Sequence, residues 1–417
     1  MSDPIIIDDF AAPRFAPEVA EMMELAGPLG DALELSQPAI LGQAALETGL
    51  SDFGPEGFRE PLAVLLASLR DEAGLSGFGR ISVHTQLLTM AKNRLLIQDQ
   101  LSRHPEIRDI EIAAPIIIAG LPRTGTTHLH NLISADPDLR SLPYWESIEP
   151  VPAPGDVIGD DGIDPRWTRC EGGVQFMNAA MPHFVAMHEM TTDHVHEEIQ
   201  LLGMDFSTMF FETLALIPSY RDHYRSHDQT PHYQYLRTVL QVLTFLRGGR
   251  RWVLKSPQHL EQFGPLRAVF PDATVVVTHR DPVAVTASML VMLAYTARLQ
   301  VARPDPVRIA DYWVARLEDL LDACRRDREL LDPARSMDVE FRRFMSDDLG
   351  TVAAVYELAG QPLDRAARVA QAEYLAGHQR NRHGTIQYDL DVFGVDAAER
   401  RAAFAPYVER FGVTTEW

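Results

Sequence analysis

The feature that most constrains the fold of this chain is the segment over residues 115–127, where aliphatic residues lead into a loop framed by two glycines. Residues 116–119 predict a short buried strand, and residues 126–135 predict a helix. A strand that turns sharply into a helix points several backbone N–H groups and the helix N-terminus toward one place. The segment therefore predicts an anion-binding site at the end of a buried strand.

The loop reads Gly-Leu-Pro-Arg-Thr-Gly-Thr-Thr over residues 120–127, close to a Walker phosphate-binding loop but with a different cation. The Walker pattern requires a lysine directly after its second glycine. Here Thr126 stands in that position, and the cation comes earlier, at Arg123. Glycines permit close approach of the backbone, threonine hydroxyls add donors, and arginine offers a forked cation. We predict these anion-binding residues in the loop: Gly120, Arg123, Thr124, Gly125, Thr126 and Thr127.

Two patterns divide the chain near residue 110. Leucines recur at helical spacing over residues 58–72 and 85–101, which predicts a helical N-terminal extension over residues 1–110. We predict that residues 111–417 form an α/β domain. Within it, the stretch at about 150–245 is rich in Met, Phe, Tyr and His and predicts a helical insertion over the strand ends.

The strands of the predicted α/β domain are short and almost entirely apolar. Residues 252–254 and 274–278 repeat the strand pattern of the first loop, with helices predicted at 257–269 and 283–299. Apolar strands that alternate with helices indicate a parallel sheet covered on both faces. The predicted fold is α/β, a P-loop-like three-layer α/β/α arrangement with a central, mostly parallel sheet. In such folds ligands bind at the carboxyl ends of the strands.

Composition narrows the function classes. The net charge of −21 argues against a nucleic-acid partner, which requires a basic face, but an acidic surface still allows a local basic pocket for an anion. Cys170 and Cys324 are too few for a disulfide scaffold and fit packing positions in a reducing compartment. The start of the sequence lacks signal-peptide features, and no run approaches about 20 apolar residues. We expect a cytoplasmic protein without a transmembrane segment, and a homo-oligomer stays open.

Cations follow the second and third predicted strands as well. Lys255 comes directly after residues 252–254, and Arg280 directly after His279 at the end of the third strand. Ser288 lies about two helical turns beyond Arg280, so both side chains can reach one phosphate. The alternatives are a snorkelling surface lysine, and a surface ion pair beside an exposed serine.

Taken together, these strand ends resemble the sulfotransferases that use 3′-phosphoadenosine-5′-phosphosulfate (PAPS). The loop over residues 120–127 is similar to the 5′-phosphosulfate loop of these enzymes. Arg280 and Ser288 resemble their 3′-phosphate site. The Leu-Lys-Ser-Pro-x-His motif of a bacterial branch is complete at residues 254–259, and the helical leader also looks like that branch. Asn381, Arg382, His383 and Gly384, continuing to Tyr388, resemble the branch's closing loop, which implies further cofactor contacts at Arg382, His383 and Gly384.

The resemblance implies in-line transfer of a sulfuryl group from PAPS to an acceptor hydroxyl, with adenosine 3′,5′-bisphosphate as the product and no metal. Catalysis of this kind is mostly positioning and stabilisation of charge on the leaving phosphate. Arg123 and Lys255 fit that role.

A base must also take the proton of the acceptor hydroxyl. Glu146 follows the first helix at about the place where carboxylate-using members carry theirs, and the branch has a His followed by Glu-Glu where this chain has His188 and Glu197. We rank Glu146 first, then His188, then Glu197, against the alternative that each acid is an ordinary capping or solvated carboxylate. Neither His188 nor His196 begins a complete His-Glu-x-x-His, so we expect no metal there.

Methionine and phenylalanine are dense in the insertion, which favours an adaptable apolar pocket for a small hydrophobic alcohol or phenol, although each residue alone fits a plain core position. The residues are Phe176, Met177, Met181, Phe184, Met187, Met204, Phe206, Met209, Phe210 and Phe211, with Met289 and Met292 on the third helix. Two other functions remain open at this point: a P-loop-type small-molecule kinase, and a non-catalytic binder of an adenosine bisphosphate.

Overall fold

Five parallel strands form a sheet at the centre of the computed structural model, which describes residues 4–379 and 382–416. Numbered in chain order, the strands are β1 Ile116–Ala119, β2 Leu139–Arg140, β3 Arg251–Ser256, β4 Thr274–His279 and β5 Ser336–Glu340. Their spatial order is β2-β3-β1-β4-β5, and every neighbouring pair is parallel. This arrangement confirms the predicted α/β fold with a parallel sheet.

Helices surround the sheet and make up most of the remaining described chain. In chain order, α1 to α19 are Pro17–Asp31, Gln37–Thr48, Arg59–Asp71, Gly77–Arg103, Thr126–Ser134, Tyr144–Ile148, Pro165–Ala180, Phe184–Met187, Ile199–Gly203, Pro218–Ser226, Thr230–Arg247, Phe263–Val269, Pro282–Gln300, Pro306–Asp327, Phe341–Ser346, Asp348–Ala359, Arg365–Gly377, Ala397–Ala403 and Ala405–Phe411. Short 3-10 segments lie at Glu56–Phe58, Pro105–Asp109, Pro257–Glu261, Met209–Thr213, Arg328–Leu330 and Asp391–Phe393.

The two faces of β1 belong to two different cores, because successive side chains of a strand point in opposite directions. Ile116 and Ile118 pack with residues of α5, α16 and α17 in the smaller core. Ile117 and Ala119 face the larger core, which includes residues of α4, α11, α13 and α14. All four side chains are completely buried, so β1 is sandwiched between helical layers.

The N-terminal helices share the larger core with the rest of the chain. α4 contacts α1 and α2 on one side and α11 and α13 on the other. Leu65 of α3 and Leu87 and Leu95 of α4 are fully buried in the same cluster as Leu240 of α11. Between residues 17 and 109 the described chain is mainly helical, and the treatment of residues 1–110 as a separate extension remains a proposal about chain organisation.

Some elements differ from the sequence prediction. The helix predicted over 257–269 is a 3-10 segment followed by α12, because Gln262 between them has φ −129° and ψ 30°. The strands β2 and β5 were not predicted. In the insertion, α11 packs against α12 and α4 beside the sheet and leads directly into β3. The part around α8 and α9 contacts Arg123 and Lys255 at the strand ends.

One described helix, α13, is long and apolar enough to cross a membrane by length and composition. Inside the folded protein, 83% of this apolar stretch is buried. Core helices of folded domains pass the same test, and α13 packs between α4, α8 and α14.

Candidate functional site

The strand order brings the three predicted strand ends to one edge of the sheet. β1 lies between β3 and β4, and Ile118 pairs with Lys255 while Ala119 pairs with Val277. Because all three strands are parallel, the loop after β1, Lys255 near the end of β3, and Arg280 after β4 are adjacent. This juxtaposition is the one that the sequence predicts for an anion site.

The glycine loop is shaped by close contacts that leave no room for larger residues. A Cβ on Gly120 would lie 2.0 Å from Thr278 Oγ1, and Gly125 has the left-handed φ of +86° at the start of α5. The hydroxyl of Thr124 is 2.7 Å from Leu121 O and 2.7 Å from Thr278 Oγ1, so it holds the loop together. Thr124 and Thr126 are buried and Thr127 is exposed, which leaves the Thr127 hydroxyl and the first N–H groups of α5 for a ligand.

Arg123 links the loop to α13 and to the C-terminal part of the chain. Its backbone has a φ of +70°, which is rare for a residue with a Cβ. Its Nε donates to Ser288 Oγ at 2.9 Å, one terminal nitrogen donates to Met187 O, and the other lies 3.4 Å from Tyr388 Oη. The strained turn thus places this guanidinium beside Ser288.

Arg280, directly after β4, contacts the backbone of Arg123. Its third nitrogen donates to Arg123 O at 2.7 Å, and its guanidinium lies over the ring of Phe341 at 4.1 Å. Its other two nitrogens bind both oxygens of Glu416 at 2.7 Å each. Arg123 thus links Arg280, through its backbone carbonyl, to Ser288, through its side chain, and a carboxylate of the chain binds Arg280 in the bidentate way in which arginine also binds phosphate.

Lys255 forms the second cationic point. Its side chain is buried, and its Nζ donates to Glu197 and lies 3.4 Å from Thr127 Oγ1. Its backbone N–H donates to Glu198 Oε2 at 2.7 Å. The two adjacent glutamates therefore hold Lys255 at both its backbone and its ammonium group.

A buried relay behind Lys255 was not predicted from the sequence. Glu198 Oε1 lies 2.6 Å from His259 Nε2, and His259 Nδ1 lies 2.7 Å from Tyr233 Oη. Burial opposes the ionisation of Glu198, but the hydrogen bonds from His259 and Lys255 outweigh it and lower the pKa of Glu198. The signal for this relay was present in the sequence, in the Glu-Glu pair and the histidine that ends the motif over residues 254–259.

Three histidines near Lys255 are neutral at pH 7, because the pKa of each is lowered: His188, His194 and His196. Burial, then the charges of Lys255 and Arg123, lower the pKa of His188 to about 4. His188 Nδ1 lies 3.3 Å from Glu189 O, which can only accept, so this nitrogen carries the proton and Nε2 retains its lone pair. His194 Nε2 lies 2.9 Å from His196 Nδ1. Burial lowers the pKa of both histidines, and the pKa of His194 falls to about 4.

Glu146, ranked first as a base, pairs with two arginines and makes no hydrogen bond or ion pair with Lys255 or the histidines among the contacts of the described residues. It is completely buried in α6, and its two carboxylate oxygens pair with Arg140 and Arg247. Arg140 in turn lies over the ring of Trp252 at 4.6 Å. With both oxygens engaged and no exposed surface, Glu146 fits a structural ion pair, contrary to our ranking.

The predicted closing loop approaches the site through several contacts. Arg382 donates to Glu189, and His383 Nε2 lies 3.2 Å from Glu189, directly after His188 in the chain. Gly384 has a φ of +94°, which favours glycine, and Tyr388 contacts Arg123. Asn381 lies outside the described residues.

The predicted apolar pocket residues divide into buried residues, which also include Met181, Met187 and Met289, and partly buried residues, which also include Phe210 and Met292. Met204, Phe206, Met209 and Phe211 are fully buried in the larger core, where they leave no surface for an acceptor. The partly buried residues lie mainly around α7 and α8: Phe176, Met177 and Phe184. The ring of Phe184 is parallel to that of His188, with centroids 6.1 Å apart. The second group is therefore the one that adjoins the candidate site.

Comparisons with known proteins agree on one family. The model of the sulfotransferase family matches residues 115–365. The structure is similar to that of sulfotransferase STF1 from Mycobacterium tuberculosis H37Rv, with a TM-score of 0.78 and 31% identity, over 89% of this chain and 98% of that one. It is also similar to sulfotransferase STF9 from Mycobacterium avium, with a TM-score of 0.82 and 26% identity, over 92% of this chain and 99% of that one.

A curated relative adds the name of an acceptor. The omega-hydroxy-beta-dihydromenaquinone-9 sulfotransferase Stf3 of Mycobacterium bovis is 25% identical over 287 residues, which are 67% of this chain and 70% of the relative. The family match covers more than half of the chain, including the glycine loop, Lys255 and Arg280. The chain therefore belongs to the sulfotransferase family.

Proposed function

We propose that this sulfotransferase uses PAPS as its donor and sulfates the hydroxyl group of a small, hydrophobic acceptor. The observation that supports this most is the pair of cationic subsites on either side of the glycine loop. Arg123, Arg280 and Ser288 form one, and Lys255 with Thr127 forms the other. A donor with a phosphate at one end and a phosphosulfate at the other requires two such subsites.

The glycine loop and Lys255 suit the phosphosulfate end. The absence of a Cβ on Gly120 lets Thr278, Thr124 and Thr126 pack against the loop backbone and fix its shape. PAPS supplies the sulfuryl group, and the leaving phosphate gains negative charge as that group departs. The first N–H groups of α5 and the ammonium of Lys255 stabilise that charge, and Glu197 and Glu198 keep Lys255 in place.

The Arg280 subsite suits the second phosphate. An arginine fork binds phosphate and carboxylate in the same bidentate way, and the bidentate contact of Arg280 with the Glu416 carboxylate supports this assignment. Ser288 and Arg123 add donors on the same side. This second subsite, together with Thr126 in place of the Walker lysine, favours PAPS over a nucleoside triphosphate with magnesium.

We propose His188 as the base that takes the acceptor's proton. Its Nε2 lone pair is available, and it is neutral at pH 7 because its pKa is about 4. The cations Lys255 and Arg123 contribute to that low value. A bound anionic donor offsets these charges and raises the pKa of His188 toward the range that suits a general base. Glu197 is the second candidate, although its pairing with Lys255 opposes that role.

The acceptor is proposed to be a lipid-like alcohol. Phe184 of α8 lies parallel to the ring of His188, and the partly buried Phe176 and Met177 of α7 belong to the same apolar surroundings, which supports an apolar acceptor side. The Stf3 relative is named for a hydroxylated menaquinone, which is an acceptor of this class. We therefore expect a hydroxylated isoprenoid or a similar hydrophobic alcohol to be sulfated better than a sugar.

The test is transfer of labelled sulfate from PAPS by the purified full chain. A set of acceptors should include a hydroxylated isoprenoid quinone, a simple phenol and a monosaccharide, each without added metal and with EDTA. We expect labelled product with the first two and none with the monosaccharide. Lys255→Ala serves as the inactive control. Labelled phosphate transfer from ATP with magnesium, or no transfer of either group, would favour the kinase or the binder instead.

A further inference from the structure

A second cluster of chemically active side chains includes none of the proposed sulfotransfer residues. It consists of Glu60 in the first turn of α3, His223 in the last turn of α10, and His227 directly after α10. One potential ligand atom from each lies within 4.8 Å of the others. Among residues 4–379 and 382–416, these three residues are the cluster of His, Cys, Asp or Glu side chains close enough together to hold a metal ion. The proposed sulfotransfer mechanism does not use them.

Helix packing explains why these three residues meet. α3 and α10 contact each other along their length, and Ser219 at the start of α10 donates to Glu72 after the end of α3. The two helices therefore run in opposite directions. The beginning of α3, with Glu60, is brought to the end of α10, with the two histidines.

The backbone prepares His227 as a ligand. His227 Nδ1 lies 2.7 Å from the carbonyl oxygen of His223, and a carbonyl can only accept, so Nδ1 carries the proton. The lone pair is then on Nε2. Histidine ligands of metal ions are commonly oriented in this way, with the second ring nitrogen donating to a backbone carbonyl or a carboxylate.

His223 and Glu60 lie close enough to His227 to complete the proposed set of metal ligands. The rings of His223 and His227 are one helical turn apart, with centroids separated by 4.0 Å. Glu60 is exposed and forms no ion pair with lysine or arginine in the described part of the chain, so its carboxylate is available. His227 is exposed and His223 half-buried, so an ion can reach the cluster from solvent.

We propose that Glu60, His223 and His227 form a site for a divalent transition-metal ion, with zinc as the best match. Two imidazole nitrogens and one carboxylate oxygen are a ligand set that zinc accepts, with water in the fourth position. The ion would join α3 of the N-terminal helices to α10 of the insertion. Its effect is on the stability of that contact, and the sulfotransfer chemistry does not need it.

The test is calorimetric titration of the metal-depleted full chain with zinc chloride at pH 7.5. We expect one saturable site in the wild type, lost in His223→Ala and in His227→Ala. Loss of a single oxygen ligand in Glu60→Gln should weaken binding by about tenfold or more. His104→Ala removes a partly exposed histidine elsewhere and should leave binding unchanged.

Thermal unfolding gives a second readout that does not depend on activity. Zinc should raise the melting temperature of the wild type and of His104→Ala, because an ion that binds only the folded state stabilises it, and should not raise that of His227→Ala. Absence of a saturable site in the wild type would overturn the proposal. So would zinc binding that His223→Ala and His227→Ala leave intact, because the ion would then lie elsewhere, for example at His188, His194 and His196.

Discussion

At the scale of single residues, the site depends on side chains that hold other side chains. Glu197 and Glu198 bind the two ends of Lys255, and Arg280 binds the carbonyl of Arg123. Arg123 itself is in a left-handed conformation that costs about 1 kcal/mol or more and that its neighbours must maintain. The positions of the cations are thus set by the protein before a ligand arrives, as electrostatic catalysis requires.

The choice of base can be tested with two matched variants. His188→Asn should lower kcat by about 100-fold, the contribution expected of a general base, and leave the affinity for adenosine 3′,5′-bisphosphate unchanged. Glu146→Gln should retain kcat and lower the free energy of unfolding by about 2 kcal/mol, because it leaves the buried Arg140 with a weaker partner. Steady-state kinetics and urea unfolding of both variants check this.

The opposite pattern would reverse the assignment. If Glu146→Gln abolished turnover at unchanged stability while His188→Asn stayed active, the base would be Glu146, as the sequence ranking had it.

Single residues that follow a strand could be predicted from the sequence, and residues that depend on distant partners could not. Arg123, Lys255 and Arg280 each come at or directly after the end of an apolar strand, so the parallel sheet alone brings them together. The partners of Glu146 are 6 and 101 residues away in the chain, and nothing local in the sequence indicates them. Glu198 and His259 stand out in the sequence, but their pairing across 61 residues, and that of His259 with Tyr233, follows only from the fold.

At the scale of elements, strands with a strong sequence pattern were predicted correctly, and strands with a weak pattern were missed. The strands β1, β3 and β4 consist mainly of buried apolar residues, and the prediction of all three is confirmed. β5, with the sequence Ser-Met-Asp-Val-Glu, is an edge strand with partly exposed side chains and lacks that signal. β2 has only two residues, which is too short for a pattern.

The C-terminal segment after α19 is an element whose role follows only from the structure. Glu416 accepts hydrogen bonds from Nε and one terminal nitrogen of Arg280, and its backbone N–H donates to Asp281 Oδ2 at 2.6 Å. Thr415 O accepts a hydrogen bond from Arg342. The segment therefore places a carboxylate at the proposed subsite of the second phosphate.

A ligand phosphate must compete with that carboxylate. Glu416→Ala should therefore raise the affinity for adenosine 3′,5′-bisphosphate by a factor of about 2 to 5, as expected for removal of a partly exposed ion pair. Glu409→Ala, a change of an exposed glutamate in α19, serves as the control and should have no effect. Calorimetric titration measures both. Weaker binding in Glu416→Ala would show that the carboxylate supports the subsite.

At the scale of the whole molecule, one core extends from the N-terminal helices through the insertion to the helices on one face of the sheet. The sequence indicated the change of pattern near residue 110 but not this continuity, because helical periodicity shows which face of a helix is buried and not what covers it. The candidate site lies where this core meets the strand ends, among histidines that are neutral because they are buried.

These histidines make the stability of the folded chain depend on pH. Burial lowers the folded-state pKa of His188 and His194 to about 4 and that of His130 to about 3, below the 6.5 of an unperturbed histidine. Between pH 6.5 and 4 the unfolded chain therefore binds more protons. Stability is full above pH 6.5 and is lost as the pH falls, by about 1 kcal/mol per histidine at pH 5.5.

Urea unfolding at pH 7.5, 6.0 and 5.5 measures this loss. His194→Gln should make the free energy of unfolding fall less steeply with pH than in the wild type. An unfolding free energy that is the same at pH 7.5 and 5.5 would mean that these histidines are accessible to protons in the folded state.

The central claim is that the strand ends bind a ligand with two separated phosphate groups. Calorimetric titration of the full chain with adenosine 3′,5′-bisphosphate, against ATP with magnesium, tests it most directly. We predict that the bisphosphate binds more tightly than ATP, and that Arg280→Ala weakens its binding by about 10- to 100-fold, the contribution of charged hydrogen bonds. Tighter binding of ATP with magnesium, or no binding of the bisphosphate, would contradict the claim.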